Sequence, residues 1–257
     1  MQSVIKQSYP NLEYIVIDGG STDGTIELLQ KYDAEIAYWI SESDGGIYDA
    51  FNKGIAHATG DYVQFLGSDD IFCNENTIRD AVAFIDDSVD ILSCAVWGVD
   101  EDQQLQKRYS SMFAKDREKF HGEMIPHPGM FTRRELLLKH PFDTSYRIAA
   151  DYLFFLTCYY DSSVKFRFCD EPVVYFSLDG VSSRDKHLLD QENQRVWATF
   201  GIPGLPITNR RRERFKEMLR FLHVFEPMQY CLNRYIRRTW QPHHCDWPFC
   251  RWCHPQT

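Results

Sequence analysis

The stretch 12-LEYIVIDGGSTDGTIELLQKY-32 decides the fold class. Residues 12–17 form a short apolar, β-branched run ending at Asp18. The turn-rich GGSTDG follows, and helical spacing sets in over residues 25–32. The alternation continues downstream. Residues 36–40 predict a second strand, closed by Ser41-Glu42-Ser43-Asp44-Gly45-Gly46, and residues 48–57 predict a helix that stops near Gly60. Residues 62–66 predict a third buried strand, ending at Gly67-Ser68-Asp69-Asp70. Strands alternating with helices predict an α/β fold: a mostly parallel central sheet flanked by helices. Residues 75–100 add a helix and an apolar strand at 91–96, whereas the polar, poorly periodic residues 100–123 read as a long loop or lid. Helix-like patterns return at 127–142 and 146–160, and residues 173–177 are strand-like.

Composition bounds the rest. The 257 residues are 44% hydrophobic and 15% aromatic, ample for a packed core, which excludes wholesale disorder. With 28 Lys+Arg against 37 Asp+Glu the net charge is −9, which argues against a nucleic-acid partner. No apolar run approaches the ~20 residues needed to span a bilayer, and no signal-peptide pattern is present. Cysteines 73, 94, 158, 169, 231, 245, 250 and 253 therefore read as reduced thiols of a cytoplasmic protein.

The expected division is a catalytic domain over residues 1–205 and an extension over 206–257. Between Asn209 and Trp240 nine Arg and Lys face three Glu, and Phe215, Leu219, Leu222 and Phe225 fall near one helical face. Such a basic amphipathic helix either packs on the main domain or lies on an anionic membrane, here the inner face of the cytoplasmic membrane. Beyond it, Cys250-x-x-Cys253 suits tetrahedral Zn²⁺, with Cys245 or a nearby His completing the set. The favoured reading of that segment is different: with Trp247, Phe249 and Trp252 interleaved, it is an aromatic tail packed on the body or on a membrane.

Chemistry gathers at one end of the predicted sheet. Asp18 ends one buried strand and Asp69-Asp70 end another, and in open α/β sheets ligands bind outside the carboxyl ends of strands. Taken singly, Asp18 reads as a helix-capping turn residue and Ser68-Asp69-Asp70 as a polar turn. Recurrence at equivalent strand ends points to function instead. Gathered carboxylates repel unless a hard cation lies between them, and Mg²⁺ characteristically joins a carboxylate to substrate phosphates. The implied ligand is a nucleotide diphosphate.

The runs YIVIDGGSTDGTIELLQKY (14–32) and SESDGGIYDAFNKGIAHATGDYVQFLGSDD (41–70) closely resemble family 2 glycosyltransferases of the GT-A fold, of the type that builds bacterial cell-surface polysaccharides. A weaker likeness covers HPGMFTRREL (127–136), FDTSYRIAADYLFFL (142–156) and FSLDGVSS (176–183). The resemblance implies inverting, metal-assisted transfer of a sugar from a nucleotide-diphospho-sugar, UDP being the expected nucleotide, to a hydroxyl of a glycan or lipid-linked acceptor. It places Asp18, Ser21, Asp23, Asp44, Asn52, Lys53 and Asp69 on the donor, and Asp70, with Asp69, on Mg²⁺ or Mn²⁺. Asp151 matches the catalytic base, although Ala150 stands where many relatives carry an acidic residue. Partial burial beside Ile148 and Tyr152 would raise its pKa, whereas the alternative role is an N-terminal helix residue favoured by the macrodipole. His127 and Arg133 are expected on the acceptor or phosphate side. The alternatives are a silent GT-A-like nucleotide-sugar binder and a membrane-surface protein acting through its basic tail.

Residues 1–7 match the helix that follows the family's first strand. The resemblance places that strand between the strands ending at Asp18 and Asp70, and the reading favoured here is a truncated chain. Such a chain should bind nucleotide-sugar weakly and turn over poorly; titration calorimetry showing ordinary donor affinity would refute this.

Overall fold

The computed structural model describes residues 1–100, 105–178, 180, 184–203 and 240–253, apart from 244, 246, 249 and 251. The basic segment 209–239 and the loop residues 181–183 lie outside the described residues. The elements in chain order are α1 (Gln2–Ile5), β1 (Ile15–Asp18), α2 (Thr25–Lys31), β2 (Tyr38–Ser41), α3 (Ile47–His57), β3 (Tyr62–Val63), β4 (Ile71–Phe72) and α4 (Thr77–Val82). Then come β5 (Ile91–Asp100), β6 (Leu105–Tyr109), β7 (Met130–Arg133), α5 (Arg134–Lys139), α6 (Ala150–Tyr160), β8 (Phe166–Ser177), α7 (Lys186–Phe200) and β9 (Gln241–Pro242).

The strands form two sheets among the described residues. β1 and β2 pair in parallel, from Ile15↔Tyr38 to Asp18↔Ser41. The larger sheet runs β3-β7-β5-β6-β9, with β8 lying along β5 and β4 on β8. Its centre is β5, whose Ile91, Leu92, Cys94, Ala95, Val96 and Val99 are fully buried, the continuous apolar run of a strand covered on both faces. β1 and β3 do not pair with each other, so the sheet divides at the position where the resemblance placed a further strand.

Three expectations are corrected here. The larger sheet is mixed: β5 runs parallel to β8 but antiparallel to β6 and β7. Only four residues separate β5 from β6, too few for the crossover a parallel pair needs. Second, residues 105–109 of the supposed lid are strand β6, registered Val96↔Tyr109 through Asp100↔Leu105, and Phe120 is buried in the core. Its polar residues belong to a strand that faces solvent on one side. Third, residues 127–142 are a 3₁₀ turn, strand β7 and the short α5 rather than one helix. Pro128 and Gly129 break helical continuity there. β8 also begins seven residues earlier than expected, because Pro172 sits at a register shift against β5 and hides the strand from a period-2 reading.

Helix α3 carries the contact between the two sheets. Gly54 lets it approach β1, where an added Cβ would stand 3.6 Å from Ile17 Cγ1. Its other side supplies Phe51, stacked on Phe65 at 4.3 Å, and Tyr48, stacked on Phe142 at 5.7 Å. No helix among the described residues is long and apolar enough to cross a membrane.

The turn bearing His127 approaches β5 so closely that a Cβ on Gly129 would lie 2.4 Å from the Cys94 carbonyl oxygen. Gly129→Ala should therefore cost about 1–3 kcal/mol, the usual range for overpacking a core, as a lower denaturation midpoint in urea.

Candidate functional site

The end of β1 builds the first part of the site. Asp18 is 9% exposed, and its carboxylate accepts hydrogen bonds from the amides of Gly20 (3.1 Å) and Ser21 (2.9 Å) and from the hydroxyls of Ser21 (2.5 Å) and Ser41 (2.6 Å). Burial pushes its pKa up, but the bonds from Ser21, Ser41 and Gly20 outweigh it and hold the carboxyl below the ordinary range. Asp18 is thus an ionised anchor for its own loop. Asp23, one residue before the N-cap Gly24 of α2, accepts from the Thr25 hydroxyl (2.6 Å) and amide (3.2 Å). Asp44, at the end of β2, accepts from the Gly46 amide (2.9 Å). The two loops abut: a Cβ on Gly19 would stand 3.0 Å from Asp44 Oδ2.

Just past Asp44, α3 begins and presents Tyr48. Its hydroxyl lies 2.5 Å from the Ile148 carbonyl oxygen and 2.9 Å from Asp151 Oδ1. Burial, then the charge of Asp151, pushes the Tyr48 pKa far above its ordinary value, so the hydroxyl stays protonated. Asp151 Oδ1 also accepts from the Tyr152 amide at 2.8 Å, within the first turn of α6.

What holds that helix start is Glu192, a residue the sequence reading missed. It lies on α7, is 3% exposed, and accepts hydrogen bonds from the amides of Arg147 (2.8 Å), Ile148 (2.8 Å) and Ala149 (2.9 Å). Arg147 and Ile148 lie in the turn leading into α6 and Ala149 is its N-cap, so one carboxylate satisfies the backbone donors of that turn and also meets the positive end of the helix dipole. The available signal was its position four residues before Val196, in line with the apolar stripe of α7.

His127 packs against Phe65 at 5.4 Å, Phe51 at 5.7 Å and Phe142 at 5.8 Å between ring centroids. Burial lowers its pKa, with the Asp151 charge acting in the opposite direction, and the ring is neutral at pH 7. Two residues beyond Phe65, the chain turns at Gly67. Asp70 Oδ2 accepts from the Gly67 amide (3.1 Å) and Asp70 Oδ1 from the Ser177 amide at the end of β8 (3.1 Å). A Cβ on Gly67 would come within 2.8 Å of that carboxylate, so a side chain there would push Asp70 from its present position. Asp69 sits exposed at the tip.

Three expected site residues are otherwise engaged. Arg133 lies beside Tyr62 at the start of β3, the opposite end of that strand from Asp70. Its guanidinium bonds Asp90 (3.2 Å) and the carbonyls of Val89 (2.8 Å) and Asp87 (3.2 Å), so it clamps strand ends. Asn52 exchanges two hydrogen bonds with the Phe142 backbone (2.8 and 3.0 Å), fastening α3 to the segment before α6. Lys53 is paired with Glu42 (2.8 Å) and Asp49 (3.3 Å) at the surface. Of the remaining residues, the Asp18 and Asp44 loops abut at Gly19, and the Asp44 loop leads into α3. Tyr48 of α3 bonds Asp151, and Phe51 of the same helix stacks on His127 and on Phe65, five residues before Asp70.

Glu192→Ala should destabilise the protein by about 3 kcal/mol or more, since each orphaned buried donor costs ~1–3 kcal/mol. Glu192→Gln, which keeps an accepting oxygen, should lose less; urea denaturation of both variants checks the order.

Comparison with known proteins gives the family. Residues 1–141 match glycosyl transferase family 2. An uncharacterised glycosyltransferase of Mycobacterium tuberculosis strain H37Rv is 36% identical over 159 residues, 61% of this chain and 61% of the relative. The alignment thus spans less than two thirds of that relative. A PGL/p-HBAD biosynthesis glycosyltransferase of Mycobacterium bovis BCG is 30% identical over 196 residues, covering 74% of this chain and 75% of its own. The crystal structure of Staphylococcus aureus TarS residues 1–349 with UDP superposes with a TM-score of 0.56 at 22% identity, covering 77% of this chain and 66% of that one. A GT-A fold with acidic loops at its strand ends and a family match over more than half its length identify the chain as a member of glycosyl transferase family 2.

Proposed function

We propose that this protein transfers a sugar, with inversion, from a nucleotide-diphospho-sugar, UDP-linked, to a hydroxyl of a glycan or lipid-linked acceptor. The observation that supports the reading is the hydrogen bond from Tyr48, on the helix that follows the Asp44 loop, to Asp151, a carboxylate also fixed by the Tyr152 amide. Support for UDP comes from TarS, named a poly(ribitol-phosphate) β-N-acetylglucosaminyltransferase, whose solved structures include complexes with UDP and UDP-GlcNAc.

Inversion requires the acceptor hydroxyl to attack the anomeric carbon opposite the departing diphosphate while a base takes its proton at ~2.6–3.2 Å. Asp151 is that base. Its Oδ1 is held by Tyr48 and by the Tyr152 amide, so Oδ2 is the oxygen turned to the acceptor proton. Tyr48, Glu192 and α6 act as positioning groups. Neutral His127, backed by three phenylalanine rings, offers an uncharged wall to the acceptor rather than a competing cation. On the donor side Asp18 and Ser21 shape the loop for the base or ribose, with Asp23 and Asp44 beside it.

The hard oxygen donors of Asp69 and Asp70, the latter oriented by two backbone amides, suit Mg²⁺ or Mn²⁺. Such an ion would supply Lewis-acid neutralisation of the charge developing on the leaving diphosphate. The division of the sheet between β1 and β3 favours a second reading, a nucleotide-sugar binder without turnover. One experiment separates the two. Asp151→Asn should lower kcat by ~10²–10⁴-fold, the range for loss of a general base, at unchanged melting temperature. Asp70→Ala should abolish metal-stimulated transfer. A parent protein as inert in donor hydrolysis and transfer as both variants would leave only the binding role.

A further inference from the structure

We propose that His243, Cys245, Cys250 and Cys253 form a structural zinc site that clips the C-terminal segment to the edge of the larger sheet. Their ligand atoms all lie within 4.8 Å of one another, with His243 and Cys250 buried. Two sulfurs bound to one zinc at ~2.3 Å and tetrahedral angles stand ~3.8 Å apart. Cys245 Sγ and Cys253 Sγ are 3.8 Å apart. A sulfur and an imidazole nitrogen on the same ion stand ~3.5 Å apart, and His243 Nε2 lies 3.1 Å from Cys250 Sγ and 4.0 Å from Cys245 Sγ. Four ligand atoms at these spacings are the Cys₃His set of a closed structural site.

The surroundings fit the same ion. His243 Nδ1 is 2.6 Å from Gln106 Oε1, and Gln106 is 5% exposed. An amide oxygen can only accept, so Nδ1 carries the proton and Nε2 presents its lone pair toward the sulfurs. This is the outer hydrogen bond that fixes a metal-binding imidazole. The Cys245 amide donates to Cys253 Sγ at 3.4 Å, as an amide does to a metal-bound thiolate. Trp247 and Trp252 are buried with Ile71, Val99 and Tyr175 around the cluster, and Tyr175 meets the His243 ring edge-on at 4.8 Å. The aromatic packing expected of this tail is therefore present together with the ligand set, and the aromatic residues form its dry wall.

The location gives the clip a purpose. β9 leads into it and pairs with β6, Gln106↔Gln241. The clip packs on Ile71 and Tyr175, which are register partners in β4 and β8. Ile71 follows Asp70, and Ser177, which donates to Asp70, lies two residues past Tyr175. Zinc would thus brace the strand pair that holds the Asp70 turn, without touching substrate. Binding exchanges thiol protons for the metal: each cysteine that ligates as thiolate releases one proton to solvent, and the neutral imidazole releases none.

The test uses the full chain, reduced, loaded with Zn²⁺ and freed of excess. Elemental analysis should find one zinc per chain, and Co²⁺ in its place should give the intense visible bands of tetrahedral cobalt with thiolate charge transfer. Cys250→Ser and His243→Ala should lose the metal, whereas Cys73→Ser, which alters a nearby cysteine outside the set, should keep it. Gln106→Ala retains all four ligands and should weaken zinc affinity by ~10–100-fold in chelator competition. This arm decides the matter should the ligand variants fail to fold. No retained zinc, equal affinity in Gln106→Ala, or a Cys245–Cys253 disulfide in the metal-loaded protein would overturn the proposal. None of these readouts depends on sugar transfer.

Discussion

Because β1 and β3 are not hydrogen-bonded to each other, the relation between the Asp18 loop and the rest of the site passes through helix α3. A continuous sheet would set that relation through backbone ladders, which tolerate little shear. Here it rests on side chains: Gly54 against Ile17, Tyr48 on Ile148 and Asp151, Asn52 on the Phe142 backbone, and Phe51 among Phe65, His127 and Phe142. The residues on α3 that resemble a donor-binding motif are, in this structure, mostly the fastenings of that helix. Asn52 illustrates the point, since both ends of its amide are satisfied by one backbone residue.

Electrostatics concentrates at two helix starts. Asp23 is satisfied within the loop that leads into α2, and Asp18 by that loop together with Ser41 of the neighbouring strand. At α6 the compensation is long-range: Glu192 reaches from another helix to three consecutive amides, and Tyr48 reaches from a third element to Asp151. A buried carboxylate persists only where hydrogen bonds replace lost hydration. Glu192 meets that condition, and in doing so it fixes the backbone that aims Asp151. The absence of an acidic neighbour at Ala150 is then a local feature, because the orientation of Asp151 comes from Tyr48 and from Glu192.

Elements with a plain period were legible from the chain alone. β1, α2, α3 and β5 appear close to their expected places, and the acidic end of β1 at Asp18 follows from position and residue type. The strand expected over 62–66 stops at Val63, so Asp70 stands just before β4 rather than at a strand's carboxyl end. Failures followed the loss of a period. β6 carries Gln106 and Lys107 where a strand reader seeks apolar residues, and Gln106 is buried because it bonds His243, 137 residues away. Arg133, placed by the resemblance on the acceptor or phosphate side, bonds Asp90, Val89 and Asp87, which become its neighbours only through the β5–β7 pairing.

Local chemistry in the sequence determined the family, the α/β class, the turns that present Asp18, Asp44 and Asp70, and the metal-binding residue types near the C-terminus. Those properties depend on residues within a few positions of one another. Tertiary structure alone decided the mixed direction of the large sheet, its division from β1–β2, the capture of α6 by Glu192, and the meeting of His243 with three cysteines against Gln106. Each is a contact between segments distant along the chain, chosen by burial and by the need to pair every buried donor, and neither periodicity nor motif spacing encodes such a choice.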